Sequence, residues 1–359
     1  MRLKIDFDRL ICRSVLDRAD RRLLRVPEAG LDAGIDLPLA TCPDVLYLPD
    51  VLDHGQSLCV ADGGVVPLES ILDPWTLDFV RAKRQSNPAL GPLYRGDFEV
   101  AHAEQTVSIL GNVFSRNFAH WTEELLKVVV LEAFDAGCHY VLSGLPGFAR
   151  EFLGLLGIGP ARILSPETPV VYAAALFTPA VSHENICSHP LVAQLLRHRL
   201  LAPLEGRRSA HAPRLWLERG EMVRNGGVTL NREEVHALVR CHGFEVLDMA
   251  TLPLDQQLLA MRDAEAIAGP HGAQFAHVMF MPPRSKVVEC FAPGHVNPSV
   301  LQICRLLGHS YHQVVGRSHK IGTQTRVRDL MVDCEHLALV LDDLFGGLSP
   351  RVPPVRGAT

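Results

Sequence analysis

The 359-residue chain has no excess of positive charge. Its 35 Lys and Arg stand against 40 Asp and Glu, a net charge of −5, with no basic block, which argues against nucleic-acid binding as its main work. No Cys-x-x-Cys pair occurs among nine scattered cysteines, so a zinc ribbon is not supported, and the odd count does not suit a secreted disulfide scaffold. The longest apolar run, Val170–Phe177, falls far short of the roughly 20 residues that span a bilayer. The opening stretch, MRLKIDFDRLICRSVLDRADRRLLR, lacks the uninterrupted apolar core of a signal peptide. No acceptable Asn-x-Ser/Thr site exists, since Asn297 is followed by Pro298. No Gly-x-Gly-x-x-Gly follows a first strand, so a nicotinamide or flavin site is not supported. A reducing, cytosolic setting fits these absences.

What is present is a chain that folds. With 47% hydrophobic and 21% charged residues it can bury a sizeable core, and its length suits about two domains. The second half is the more regular. Arg214–Arg219 reads as a strand, and Asn231 with Glu234 three residues later resembles a capping box opening a helix to about Cys241. Further strands are expected at Phe244–Met249, Glu265–Gly269, Ser285–Phe291 and Ser310–Val315, and helices at Leu254–Asp263, Ala273–Phe280 and Pro298–Leu307. Strands alternating with helices of about ten residues imply βαβ crossovers and a parallel sheet. In the first half, Thr122–Phe134 reads as a strong helix, with strands at Tyr140–Leu142, Arg162–Leu164 and Val170–Phe177. Residues 201–213 carry Pro, Gly and Arg and read as the linker. The expected organisation is α/β throughout: an amino-terminal domain over 1–204, a Rossmann-like domain over 205–325, and a helix and tail over 326–359.

Four groups of residues carry candidate chemistry. Gly269-Pro270-His271-Gly272-Ala273 lies between a strand and a helix. Open parallel sheets bind ligands beyond the carboxyl ends of their strands, and Gly272 would let backbone approach a phosphate that His271 could bind; an ordinary tight turn with a packed histidine is the alternative. Arg219 and Arg224, just beyond the first strand of the same domain, could clamp a diphosphate through paired guanidinium forks or form a solvated surface pair. His120 and Glu124, four residues apart at the start of a helix, make a general-base pair or a surface ion pair. Glu289, a carboxylate inside the apolar strand Val287–Phe291, needs a partner. A ribose and a structural hydrogen bond to neighbouring backbone are equal candidates for that partner.

In order, these segments resemble glycosyltransferase family 61, which includes bacterial capsular-polysaccharide enzymes. Asn117–Glu124 (NFAHWTEE) looks like the family's Asn-aromatic-x-His-Trp-x-x-Asp/Glu segment, Leu217–Asn231 its paired arginines, and Ala264–Glu289 its Gly-Pro-His-Gly-Ala loop, apolar helix and Val-Val-Glu strand. The likeness runs from about residue 95 to 316. It implies a GT-B architecture, two Rossmann-like domains facing a cleft, and inverting transfer without a bound metal or other cofactor, from a nucleotide-sugar (UDP-sugar favoured) to a glycan or glycolipid. On that likeness Glu124 is the first choice of base, with His120 orienting or replacing it. Arg219, Arg224, Gly269, His271, Gly272 and Ala273 would hold the diphosphate, and Glu289 the ribose. The spacing departs from the family's at Asn225-Gly226-Gly227, and no membrane anchor is seen. The resemblance therefore implies a soluble bacterial enzyme, cytoplasmic or peripheral at the inner membrane face. The rivals are an inactive nucleotide-sugar-binding scaffold and a GT-B-like pyruvyltransferase.

Overall fold

A computed structural model of the chain describes residues 97–111, 115, 117–135, 137–142, 147–178, 190–219, 228–317 and 329–346, with short strands between residues 2 and 67 and at 182–183 and 186–187. The chain divides into two compact units, Met1–Pro203 and Leu204–Thr359.

The first unit carries a seven-stranded mixed sheet. Its strands are β1 (Arg22–Arg25), β2 (Asp44–Asp53), β3 (Cys59–Val60), β4 (Ala101–Ile109), β5 (His139–Val141), β6 (Ile163–Leu164) and β7 (Val170–Phe177). In space they run β6-β5-β4-β7-β2-β1, with β3 paired to β2. From β6 to β7 the neighbours are parallel; β2 pairs antiparallel with β7, β1 and β3. Among the described residues the helices of this unit are α1 (Phe118–Phe134), α2 (Gly147–Leu155) and α3 (Pro190–Leu201). Helix α1 starts four residues before the expected Thr122 because the Asn117 side chain accepts the Ala119 N–H and caps it. Trp121, Leu125, Leu126 and each residue from Val128 to Leu131 are wholly buried. A helix apolar on most faces belongs inside a unit rather than on its surface. A core of Val107, Ile109, Val141, Tyr172, Ala175 and Phe177 lines the parallel part of the sheet.

The second unit is a five-stranded, wholly parallel sheet: β8 (Arg214–Leu217), β9 (Glu245–Leu247), β10 (Ala266–Pro270), β11 (Lys286–Phe291) and β12 (Ser310–Val315). The spatial order is β9-β8-β10-β11-β12. Helices α4 (Arg232–Cys241), α5 (Leu254–Asp263), α6 (Ser299–Leu307) and a 3-10 helix at Ala273–Phe280 provide the crossovers. All five residues of β10 are buried, as befits a central strand covered on both faces. The chain leaves β8 toward β9 and then returns past it to β10. The carboxyl ends of β8 and β10 therefore flank the point where winding reverses, the usual ligand crevice of such sheets.

Asn231 does not act as the expected capping box. Its side chain makes no cap bond to the helix. Instead its Oδ1 accepts the Val332 N–H and its Nδ2 donates to the Val332 carbonyl and to Glu234. A side-chain amide has one acceptor and two donors, and pairing with a chain segment a hundred residues away uses them in place of the local cap. That segment leads into α7 (Cys334–Phe345), which packs against α4 and β12. Phe345 meets Phe244 edge-on at 5.7 Å and lies under Arg214 at 4.0 Å. Leu337 and Leu341 join Trp216, Val235, Val288 and Val314 in one core.

Candidate functional site

In the second unit the sheet brings the expected residues to one edge. Gly269 is the fourth of the five residues of β10 and lies where β8 passes close by. A Cβ there would sit 2.6 Å from the Leu217 carbonyl oxygen, so only glycine lets the two strand ends converge. At Gly272 a Cβ would lie 3.1 Å from Arg219 Nε and 2.5 Å from Gln274 Oε1. The Arg219 side chain thus crosses the turn that carries His271. Gln274 Nε2 donates to the Pro270 carbonyl, and the His271 N–H to the Cys290 carbonyl, which ties the turn to β11. Ala273 opens the 3-10 helix. Arg224 lies outside the described residues.

His271 Nδ1 lies 2.6 Å from Glu289 Oε1, and the Tyr311 hydroxyl donates to Glu289 Oε2 at 2.8 Å. Glu289 is wholly buried, while the His271 side chain keeps 18% exposure. The parallel register sets Gly269 beside Glu289 and Glu289 beside Gln313, which places the carboxylate beneath the turn. The structural partner expected of Glu289 was neighbouring backbone, and its partners are instead the side chains of His271 and Tyr311. Both of its oxygens serve protein groups.

The first unit builds a second histidine–glutamate pair just after the carboxyl end of β4. The carboxylate facing His120 Nδ1 is Glu123, at 3.3 Å. Burial pushes the Glu123 carboxyl above its ordinary value, and His120 partly offsets this. Glu124 is wholly buried, and Lys127 Nζ donates to both of its oxygens at 3.1 and 3.2 Å. The His120 side chain keeps 18% exposure.

Residues 118–288 match the family model described as Glycosyltransferase 61. No curated protein matches the chain. The Glycosyltransferase 61 segment runs from the first residue of α1 into β11. It holds His120, Glu123, Glu124, Arg219 and His271, and stops one residue short of Glu289. The match supports glycosyltransferase family 61, and the family implies a glycosyltransferase with a nucleotide-sugar donor and a glycan acceptor.

Three neighbours of the candidate residues had no sequence signal of their own, Glu123 in the first unit and Tyr311 and Glu218 in the second. Glu123 was adjacent to the chosen carboxylate, and spacing alone does not separate i+3 from i+4 on a helix face. Tyr311 joins Glu289 only through the register of β11 and β12. Glu218, beside Arg219 at the end of β8, accepts the Arg219 N–H at 2.9 Å, hydrogen-bonds His236 Nε2 and lies 3.9 Å from Arg232. Among the described residues no three His, Cys, Asp or Glu side chains gather as metal ligands, and no helix is long and apolar enough to cross a membrane.

Proposed function

We propose that the protein is an inverting, metal-independent glycosyltransferase of bacterial polysaccharide biosynthesis. It moves a sugar from a nucleotide-sugar, UDP-sugar favoured, to a glycan or glycolipid acceptor, in the cytoplasm or peripherally at the inner face of the cytoplasmic membrane. The observation that carries this reading is the convergence of Arg219, His271 and Gly272 at the winding-reversal point of a parallel sheet, inside the Glycosyltransferase 61 segment.

Inverting transfer is one in-line displacement. The acceptor oxygen attacks the anomeric carbon while the bond from that carbon to the diphosphate breaks, and the diphosphate leaves with the bonding electrons. Arg219, Arg224, His271 and the N–H groups at the start of the 3-10 helix stabilise the charge growing on it. The acceptor's proton needs a base. His120 is the better placed of the two candidates: it keeps exposure and Glu123 faces its Nδ1, whereas Glu124 is buried and held by Lys127. Both units must reach one reacting centre, which is the GT-B arrangement this reading requires.

A thermal-shift screen of the full chain against nucleotide-sugars, followed by assay of nucleoside diphosphate release, tests the proposal. One UDP-sugar should raise Tm, since a ligand at 100 Kd adds about 2.7 kcal/mol of apparent stability, and turnover should release UDP. Stabilisation by phosphoenolpyruvate alone would replace the reading with pyruvyl transfer. Nucleotide-sugar binding without transfer or donor hydrolysis would make the protein a scaffold.

A further inference from the structure

The environment of His271 decides which of its ring nitrogens meets a ligand and in what form. Burial and the Glu289 carboxylate push the Tyr311 hydroxyl well above its ordinary value, so it keeps its proton and donates to Glu289 Oε2. The other oxygen lies 2.6 Å from His271 Nδ1, and as a carboxylate oxygen it accepts, which assigns the hydrogen of this contact to Nδ1. Phe291 stacks on the ring at 4.9 Å and 23°, which resists a ring flip. An imidazole whose Nδ1–H is committed in this way presents a lone pair at Nε2 when neutral. A lone pair repels a phosphate oxygen, and only the imidazolium donates there.

We propose that a nucleoside diphosphate binds this turn with uptake of one proton at His271 Nε2, and that Glu289 is the positioning residue that favours the uptake. The inference rests on the reading of the Arg219–His271 turn as a diphosphate site. The proton comes from solvent on binding and returns to it when the nucleotide leaves. In between, the ring is a cation flanked by the Glu289 carboxylate on one edge and the diphosphate on the other. The described groups around the ring are Glu289 and Phe291 from β11, Tyr311 from β12, His295 from the segment after β11 with ring centroids 5.5 Å apart, and Arg219 from the end of β8. Burial pushes up the thiols of Cys290 and Cys304, which also feel Glu289, so both stay neutral. Arg219 is cationic throughout. His295 is therefore the competing proton acceptor.

Titration calorimetry of UDP into the full chain at pH 8, repeated in buffers of different ionisation enthalpy, counts the protons taken up. At that pH the UDP phosphates are fully ionised and ordinary imidazoles largely neutral. Wild type should take up a substantial fraction of a proton per UDP, and His295→Gln should do the same. His271→Gln should take up none. Glu289→Gln should take up less and bind UDP more weakly, on the order of tenfold. The lowered proton count in Glu289→Gln is a readout that a merely structural role would not move. If Glu289→Gln does not fold, wild type against His271→Gln decides, because His271 sits on a partly exposed turn. UDP binding without proton uptake, or uptake that persists in His271→Gln, overturns the inference and leaves the glycosyltransferase reading standing. If neither UDP nor pyrophosphate binds wild type, the site reading fails and the inference with it.

Discussion

Each unit turns a histidine Nδ1 toward a buried glutamate, but the two pairs are built differently. His120 and Glu123 sit one turn apart on α1 at 3.3 Å. His271 and Glu289 join a turn to the neighbouring strand at 2.6 Å, with Tyr311 on the second carboxylate oxygen. A pair within one helix takes whatever geometry the helix offers, here a contact longer than a good hydrogen bond. A pair across two strands is set by sheet register and braced from a third strand. The looser pair leaves its imidazole less firmly held. The braced pair suits a group held at one position to meet a fixed anion.

The comparison breaks most sharply at His120. His120→Ala should cut transfer by roughly 10²–10⁴, the usual share of general-base catalysis, while UDP affinity stays near wild type. Glu124→Gln should keep transfer within about tenfold of wild type, because its partner is Lys127. Single-turnover kinetics on both variants decide the matter, and the reverse ranking would restore Glu124 as the base. His271→Ala comes next, with a loss on the order of 10²–10³ in kcat, as for removal of one oxyanion donor. Full turnover in that variant would reduce the turn to a structural element.

A third histidine sharpens the contrast. His277, in the 3-10 helix after the turn, is buried, and desolvation lowers its pKa to about 4 against an ordinary 6.5. Between those values the unfolded chain binds the proton and the folded chain does not. Stability is therefore complete above pH 6.5 and is lost as pH falls toward 4, by about 3 kcal/mol. Urea denaturation across that range should show the loss, and His277→Gln should flatten it; an unchanged slope in the variant would contradict the assignment. The smallest effect is expected at Gly269→Ala. The added Cβ must displace the Leu217 carbonyl, at a cost of about 1–3 kcal/mol for overpacking, measurable as a lowered Tm with weakened UDP binding.

Much of the second unit was legible because its elements are short, alternate regularly and end at Gly or Pro. The expected helix Leu254–Asp263 and strand Ser310–Val315 match the structure residue for residue, and β10 and β11 agree within one residue at each end. Arg219 and His271 were legible as candidates because both follow strands. Their nearness was not, since it depends on which strands are neighbours. Glu289 shows the limit most clearly. The apolar strand around it announced a buried carboxylate in need of a partner, but Tyr311 lies 22 residues away and becomes its partner only through register. In the first unit, helical spacing placed both Glu123 and Glu124 within reach of His120, and packing assigned one to the histidine and the other to Lys127.

The affinity of UDP for the full chain, measured by calorimetry with and without EDTA beside the Arg219→Ala variant, bears most directly on the central claim. The account predicts one wild-type Kd in both buffers. It predicts a loss of about tenfold or more in Arg219→Ala, the worth of a hydrogen bond between charged groups. Wild-type affinity in Arg219→Ala, or binding that vanishes on chelation, would contradict it.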